Sequence, residues 1–216
     1  MKYSLILNPG SRGGKSRNSF EQIFKAFHKA NQTYEHKITD TLEDAYTFSV
    51  EANKAGYDVI VAVGGDGTIN NVLNGFFDDD GKRISKSKMA VIYTGTSPDF
   101  CKSYNIPIET EKAIQTIFDN RSRQIYLGRL ICSSKNEMNP EDFSLSEIGS
   151  KKTMYFACCA NIGLGATLAR KANSGIRKYL GDTLGTFISL LRTLASYKPN
   201  DFHAVINSEK ITLSKL

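Results

Sequence analysis

The segment at residues 58–68 constrains the fold more than any other part of this sequence. It begins with the run DVIVAV at 58–63, which is β-branched and carries no charge after its first residue, and it continues into GGDGT at 64–68. Such a run is typical of a parallel strand that is buried on both faces. Apolar residues then recur with helical period at Ile69, Val72, Leu73 and Phe76. The segment therefore predicts a buried strand, a tight glycine-rich turn and a helix.

The first 120 residues repeat this alternation of strands and helices. Short apolar or β-branched runs predict strands at 3–7, 33–38 and 89–93, and helical patterns lie at 16–31, 42–55 and 109–119. We therefore expect an α/β fold class, in which an open parallel sheet carries helices on both faces.

The pattern changes after about residue 120. Strands are predicted at 124–133 and 154–161, an amphipathic helix at 180–195, and two short strands within 201–213 around a turn at Asn207-Ser208. We therefore predict two domains, an α/β domain at 1–120 and a β-rich domain with a helical insertion at 121–216. Because a lone closing hairpin is at best marginally stable, we expect the second domain to be incomplete in this sequence.

The glycine-rich turn is the strongest chemical signal. Gly64, Gly65 and Gly67 have no side chains, so backbone N–H groups can approach phosphate oxygens, and the positive end of the following helix points to the same place. Asp66 would be repelled by phosphate unless it holds Mg²⁺ or accepts a proton from a substrate hydroxyl. The alternative is a purely structural turn in which Asp66 caps the helix.

Two further loops follow predicted strands at the same edge of the sheet, at residues 8–16 and 94–100. Because all three loops lie at the carboxyl ends of parallel strands, we expect them to line one crevice. The first ends in Gly14-Lys15-Ser16, like a Walker A loop, but Pro9 stands where that motif needs glycine. We keep Lys15 as a candidate phosphate contact, with simple surface exposure as the alternative.

Charge and composition narrow the range of partners. The chain has 28 Lys and Arg against 22 Asp and Glu, a net charge of +6, and residues 121–216 alone hold 14 basic and 7 acidic side chains. A localised positive surface suits a nucleotide or an acidic lipid headgroup, whereas clustered arginines with interleaved aromatics, as nucleic-acid binding needs, are missing.

No apolar stretch reaches the about 20 residues that span a bilayer, and no secretory signal follows Lys2, so we expect a cytoplasmic protein.

Three stretches, ILNPGSRGGKS at 6–16, VAVGGDGTINNVLNG at 61–75 and TGTSPDF at 94–100, resemble the diacylglycerol kinase catalytic-domain family, and NIGLGATLARKAN at 161–173 is a looser fourth match. This family includes bacterial lipid kinases and sphingosine kinases. The resemblance implies a nucleotide-binding α/β domain like that of NAD kinases and phosphofructokinases, a β-rich lipid-substrate domain, and phosphorylation of a lipid hydroxyl between them.

The resemblance also implies roles for individual residues. Residues in all three loops would bind ATP, and Asp66 and Asp99 would organise Mg²⁺. With Lys15 added from the loop pattern, the candidate nucleotide-binding residues are Asn8, Pro9, Lys15, Gly64, Gly65, Asp66, Gly67, Thr68, Thr94, Gly95 and Thr96.

The sequence departs from the family in three places. Ser97-Pro98 stand where the family has Gly-Asn, and Asn71 stands where a glutamate is common. The acidic motif that furnishes the family's base has no counterpart before Leu216, so we expect either a C-terminal truncation or an incomplete family member. Asp66 is then the candidate catalytic base.

The predicted function is transfer of the ATP γ-phosphoryl group to a lipid hydroxyl such as that of diacylglycerol. One alternative is an NAD kinase-like enzyme. The other is a nucleotide-binding protein without kinase activity, and the departures at Asn71 and Pro98 favour this second alternative. The expected partners are ATP, a lipid alcohol and, through the amphipathic segment 177–195, the anionic inner face of the membrane. Core packing is the alternative role for that segment, and a homodimer is left open.

Overall fold

A parallel β-sheet organises the first part of the chain. The computed structural model describes residues 1–14, 16–133, 151–161, 163–167, 191, 194–197, 201–206 and 209–213. Four strands form the sheet, β1 (Lys2–Leu7), β2 (Thr33–Ile38), β3 (Val59–Gly64) and β4 (Lys88–Tyr93). Their order is β2-β1-β3-β4, and every neighbouring pair is parallel. The α/β fold class predicted from the sequence is confirmed.

Five helices connect or follow these strands. They are α1 (Arg17–Lys29), α2 (Leu42–Lys54), α3 (Asp66–Asn74), α4 (Asp99–Ser103) and α5 (Thr110–Phe118), and a short 3₁₀ turn at Ser11–Gly14 precedes α1. The predicted helices at 16–31, 42–55 and 109–119 correspond to α1, α2 and α5. Helix α3 begins at Asp66, so it includes the second half of the glycine-rich turn, and α4 was not predicted.

The two faces of the sheet bury separate apolar clusters, as helices on both sides require. On β3, Val61 and Val63 pack with helices α1 and α5, whereas Ile60 and Ala62 pack with α2 and α3. All four side chains have no exposed surface. The prediction that the uncharged β-branched run at 58–63 is a strand buried on both faces is therefore confirmed.

Helices α2 and α3 approach each other closely at Gly75, directly after α3. A Cβ atom on Gly75 would lie 2.5 Å from Cβ of Ser49 and 2.7 Å from the carbonyl oxygen of Tyr46. The Ser49 hydroxyl donates to the Val72 carbonyl at 2.7 Å. This contact fixes α3, and with it the glycine loop at its N-terminus, against α2.

An antiparallel hairpin of β5 (Gly128–Ser133) and β6 (Lys151–Phe156) packs onto the end of α3. The Asn74 side chain accepts from the Tyr155 N–H at 2.7 Å and donates to the Tyr155 carbonyl at 2.9 Å. The Tyr155 ring stacks on Phe77 with centroids 4.0 Å apart, and its hydroxyl donates to the Gly81 carbonyl at 3.0 Å. Tyr155 therefore anchors β6 to the end of α3.

The predicted strands after residue 120 need correction at their ends. Strand β5 begins at residue 128 instead of 124, because 121–127 are irregular, with Ile125 packed against the core and Tyr126 fully exposed. Strand β6 ends at Phe156, short of the predicted 161. Strands β7 (Phe202–Ile206) and β8 (Glu209–Leu213) form the predicted terminal hairpin.

The chain divides into two compact units, Met1–Cys158 and Cys159–Leu216. The domain boundary predicted at residue 120 stays a prediction. Lys15 and nearly all of the amphipathic segment 177–195 lie outside the described residues. Among the helices of the described ranges, none is both long and apolar enough to cross a membrane.

Candidate active site

The order of the strands locates the crevice where a ligand is expected. From β1 the chain connects outward to β2 on one side, and from β3 it connects outward to β4 on the other. The carboxyl ends of the adjacent strands β1 and β3 therefore form the switch point of the sheet, where open α/β sheets bind ligands. Leu7 pairs with Val63 there, and Gly64 pairs with Tyr93 at the end of β4. We call the segments that follow β1, β3 and β4 the first, second and third loops; they are residues 8–16, 64–68 and 94–100.

Glycines let the second and third loops touch through their backbones. A Cβ atom on Gly95 would lie 2.6 Å from the Cα of Gly65, and one on Gly65 would lie 3.2 Å from the Cα of Gly95. A Cβ atom on Gly64 would lie 2.4 Å from the Thr68 hydroxyl. At Gly67, by contrast, an added Cβ would make only an ordinary contact with Leu42 at 3.7 Å. Packing therefore requires three of these glycines, whereas Gly67 leaves an open surface beside the start of α3.

Side-chain hydrogen bonds tie the first loop to the other two. The Asn8 amide donates to the Thr68 hydroxyl at 2.8 Å, which joins the first loop to the second. The buried Ser11 hydroxyl donates to the Thr94 carbonyl at 3.1 Å, which joins the first loop to the third. Ser16 instead closes the first loop on itself, because its hydroxyl lies 2.8 Å and 3.0 Å from the carbonyl oxygens of residues 8 and 9. Asn8 and Thr68 were predicted site residues; Ser11 and Ser16 were missed, because their partners are main-chain atoms.

Asp66 joins the second loop to the third and so completes a ring of contacts. Its two carboxylate oxygens accept from the backbone N–H groups of Asp99 at 3.2 Å and Phe100 at 3.4 Å. These N–H groups open α4, whose preceding residue, Pro98, makes no side-chain cap. Asp66 therefore caps α4. The structural alternative, in which Asp66 caps its own helix α3, is wrong.

The environment of Asp66 is unfavourable for its negative charge. Partial burial raises the pKa of the Asp66 carboxyl, the N–H groups of Asp99 and Phe100 oppose that shift, and the nearby Asp99 carboxylate adds to it. Two carboxylates at one sheet edge, one of them half-buried, form an arrangement that a cation would stabilise.

Thr94 carries an unused hydrogen-bonding group. It is 8% exposed, and its backbone N–H donates to the Gly64 carbonyl at 2.9 Å. In the part of the chain that the structure describes, its hydroxyl oxygen Oγ1 is a buried side-chain atom without a hydrogen-bond partner. Buried hydroxyls are almost always partnered in folded proteins, so this one is a candidate partner for a ligand atom.

The remaining predicted residues lie around this centre. Thr96 and Asp99 are exposed, and Pro9 is half-buried. Beyond Ser11 the first loop runs through left-handed backbone at Arg12 (φ 52°) and Gly13 (φ 64°). Consecutive N–H groups in such turns can line an anion-binding concavity. The structure thus brings the first, second and third loops together, with Lys15 outside the described residues.

Comparison with known proteins identifies the family. Residues 2–130 match the family described as diacylglycerol kinase catalytic domain. The chain belongs to this family. A diacylglycerol kinase from Bacillus subtilis is 32% identical over 127 residues, and one from Staphylococcus aureus is 29% identical over 126 residues. Each match covers 58% of this chain, but only 41% and 39% of the relatives, so the chain spans about two fifths of their length.

A crystal structure of a diacylglycerol kinase from Bacillus anthracis is also similar to this family member. It is 23% identical, with a TM-score of 0.44, and the match covers 60% of this chain and 44% of that one.

The donor set of this diacylglycerol kinase family member suits a magnesium–nucleotide pair. Within the described ranges, no three His, Cys, Asp or Glu side chains are grouped so that they could hold a metal ion by themselves. Mg²⁺ is usually held by one or two carboxylates together with substrate phosphates and water, which Asp66 and Asp99 could provide with ATP. The unpartnered Thr94 hydroxyl and the N-terminus of α3 suit phosphate or ribose oxygens.

Proposed function

We propose that this chain is an ATP-dependent lipid kinase that transfers the γ-phosphoryl group to a lipid hydroxyl such as that of diacylglycerol. The observation that carries the proposal is the convergence of the three loops at the switch point, around the unpartnered hydroxyl of Thr94. Membership in the diacylglycerol kinase catalytic domain family and the names of its relatives support the lipid as acceptor.

The second loop would bind phosphate mainly through its backbone. Gly65 directly precedes α3 and Gly67 lies in its first turn, where N–H groups lack intrahelical partners and the helix dipole favours anions. The hydrogen bond from Asn8 to the Thr68 hydroxyl would hold the loop in shape, and the Thr68 hydroxyl, which accepts in this bond, keeps its own proton to donate to phosphate. Mg²⁺, held by Asp66 and Asp99, would neutralise phosphate charge when bound.

Asp66 is the proposed acceptor of the proton from the lipid hydroxyl. Partial burial raises the pKa of its carboxyl, whereas Mg²⁺ held by the same carboxylate would lower it, so proton acceptance requires an Asp66 oxygen that the cation does not occupy. A carboxylate has about four lone-pair sites, so the two N–H groups of α4 leave Asp66 capacity for a further partner.

The test is a transfer assay with labelled ATP and Mg²⁺, run with diacylglycerol in mixed micelles, with NAD, and with no acceptor. We expect labelled lipid product, and we expect Asp66→Asn to reduce its rate at least about a hundredfold. Asp58→Asn is the matched control, because Asp58 lies at the amino end of β3, where its carboxylate accepts from the Lys2 N–H at 2.7 Å. It should retain activity.

The other outcomes each reject the proposal in a different way. Phosphorylation of NAD alone would identify an NAD kinase-like enzyme. Binding of ATP with no transfer to any acceptor, repeated after a full-length second domain has been added, would identify a nucleotide-binding protein without kinase activity. An equal loss of activity in the Asp66 and Asp58 variants would show that the effect of Asp66 is only structural.

A further inference from the structure

Ser11 is a buried polar residue at the centre of the three loops. It is 9% exposed and lies in the first loop, where its N–H donates to the Asn8 carbonyl at 3.4 Å. Its hydroxyl reaches the third loop and donates to the Thr94 carbonyl at 3.1 Å. The same oxygen would be 3.5 Å from a Cβ atom placed on Gly65 in the second loop. Ser11 therefore touches the region where all three loops meet.

The bond from Ser11 completes the fixation of the Thr94 backbone. The Thr94 N–H donates to the Gly64 carbonyl, and the Thr94 carbonyl accepts from Ser11, so hydrogen bonds hold the main chain on both sides of the residue. The direction of the Cα–Cβ bond follows from these two peptide planes. Among the described residues the Thr94 hydroxyl has no hydrogen-bond partner, so the fixed backbone and the buried surroundings orient it.

We infer that Ser11 is a positioning residue that orients the Thr94 hydroxyl toward bound nucleotide. This inference rests on the proposed function, because it takes the nucleotide to be the partner of that hydroxyl. The Ser11 hydroxyl donates its single proton to the Thr94 carbonyl, so it does not donate to a phosphate oxygen of the nucleotide. Ser11 acts before binding: because it already orders the third loop, nucleotide binding does not have to supply the free energy for that ordering.

A double-mutant cycle on nucleotide affinity tests the inference. The Kd for ATP with Mg²⁺ is measured by calorimetry for wild type, Ser11→Ala, Thr94→Val and the double variant. We expect Ser11→Ala alone to raise Kd about fivefold, as the loss of one hydrogen bond allows. In the Thr94→Val background, where the hydroxyl to be oriented is gone, the same substitution should change Kd less than twofold. Such coupling is what residues acting through each other show.

Ser16→Ala is the matched control. Ser16 is also a buried serine of the first loop, but its hydroxyl bonds only to carbonyl oxygens within that loop. Its effect on Kd should be the same with and without the Thr94 hydroxyl. Thermal midpoints of all variants are measured alongside, because a merely structural Ser11 would lower them without coupling to Thr94 in Kd.

The outcomes separate this inference from the proposed function. If wild type binds ATP but Ser11→Ala raises Kd equally in both backgrounds, or not at all, the positioning role is wrong while the proposed function stands. If wild type does not bind ATP, the proposed function fails and the inference fails with it. Should Ser11→Ala not fold, Ser11→Cys, whose thiol is a weaker donor, replaces it in the cycle.

Discussion

Replacing Asn74 by alanine should loosen strand β6 from helix α3. The Asn74 side chain acts like a neighbouring strand, because it accepts from the Tyr155 N–H at 2.7 Å and donates to the Tyr155 carbonyl at 2.9 Å. Tyr155 is 9% exposed, so water cannot readily replace these two partners. The substitution leaves both main-chain groups unpaired in a largely buried position.

The magnitude follows from these two bonds. Each bond contributes about 1 kcal/mol net, and a buried group left unpaired costs about 1–3 kcal/mol. Because alanine is a better helix former than asparagine, it offsets about 0.6 kcal/mol of this loss in the free energy of unfolding. We therefore expect Asn74→Ala to lower the free energy of unfolding by about 2 kcal/mol. Asn74→Asp, which keeps an acceptor for the Tyr155 N–H but loses the donor, should lower it by less.

Urea unfolding measures the total effect, and hydrogen exchange by mass spectrometry locates it. In Asn74→Ala, amides of 151–156 should lose protection, while those of β3 keep theirs relative to global unfolding. The matched control is Asn70→Ala, one turn earlier on α3, where the residue is exposed and the change should stay within about 0.5 kcal/mol. Unchanged protection at 151–156 together with an unchanged free energy of unfolding would refute the role assigned to Asn74.

Four further outcomes are expected. Gly75→Ala should lower the free energy of unfolding by about 2 kcal/mol in urea, because its new methyl group would overlap the Ser49 side chain; an unchanged midpoint would contradict the tight contact. Thr41→Ala should cost about 1 kcal/mol by thermal unfolding, since Thr41 caps α2. The backbone N–H of Thr41 lowers the pKa of the Asp44 carboxyl. The ionised carboxyl therefore contributes to the free energy of unfolding above about pH 4, and this contribution should be lost as the pH falls through the lowered pKa. Asp44→Asn should flatten this pH dependence. Burial raises the pKa of Cys101 to about 11, so iodoacetamide at pH 8 should leave Cys101 unmodified in the folded protein, as peptide mass spectrometry can show.

The sheet and the meeting of its loops could be predicted because their signals are local. The uncharged run at 58–63 is buried on both faces, and parallel strands bring their carboxyl ends to one edge whatever the side chains between them. The glycines of the second loop were predicted for phosphate approach. The structure adds a cause that the sequence did not reveal, which is the contact between the backbones of Gly65 and Gly95.

The contacts between loops could not be predicted, because their partners are far apart in the chain. Asp66 caps a helix that begins 33 residues later, and Ser11 bonds to a carbonyl 83 residues away. An N-cap is ordinarily recognised from the residue directly before its helix, and here that residue is Pro98. The start of β5 was misplaced because an apolar run predicts burial and strand alike, and Ile125 packs against the core, partly buried, without being in a strand.

The strand order also bears on how the chain folds as it is synthesised. Strand β1 is made first but lies inside the sheet, between β2 and β3, and its pairing with β3 joins Tyr3 to Val59. Until β3 has been translated, the backbone N–H and C=O groups along one edge of β1 are unpaired and can pair with other chains. The carboxyl end of this strand is also fully apolar. Non-local pairing of this kind slows folding and prolongs exposure to aggregation. We therefore expect nascent chains that stop before residue 64 to depend on chaperones, and this dependence to fall once the glycine loop has been added.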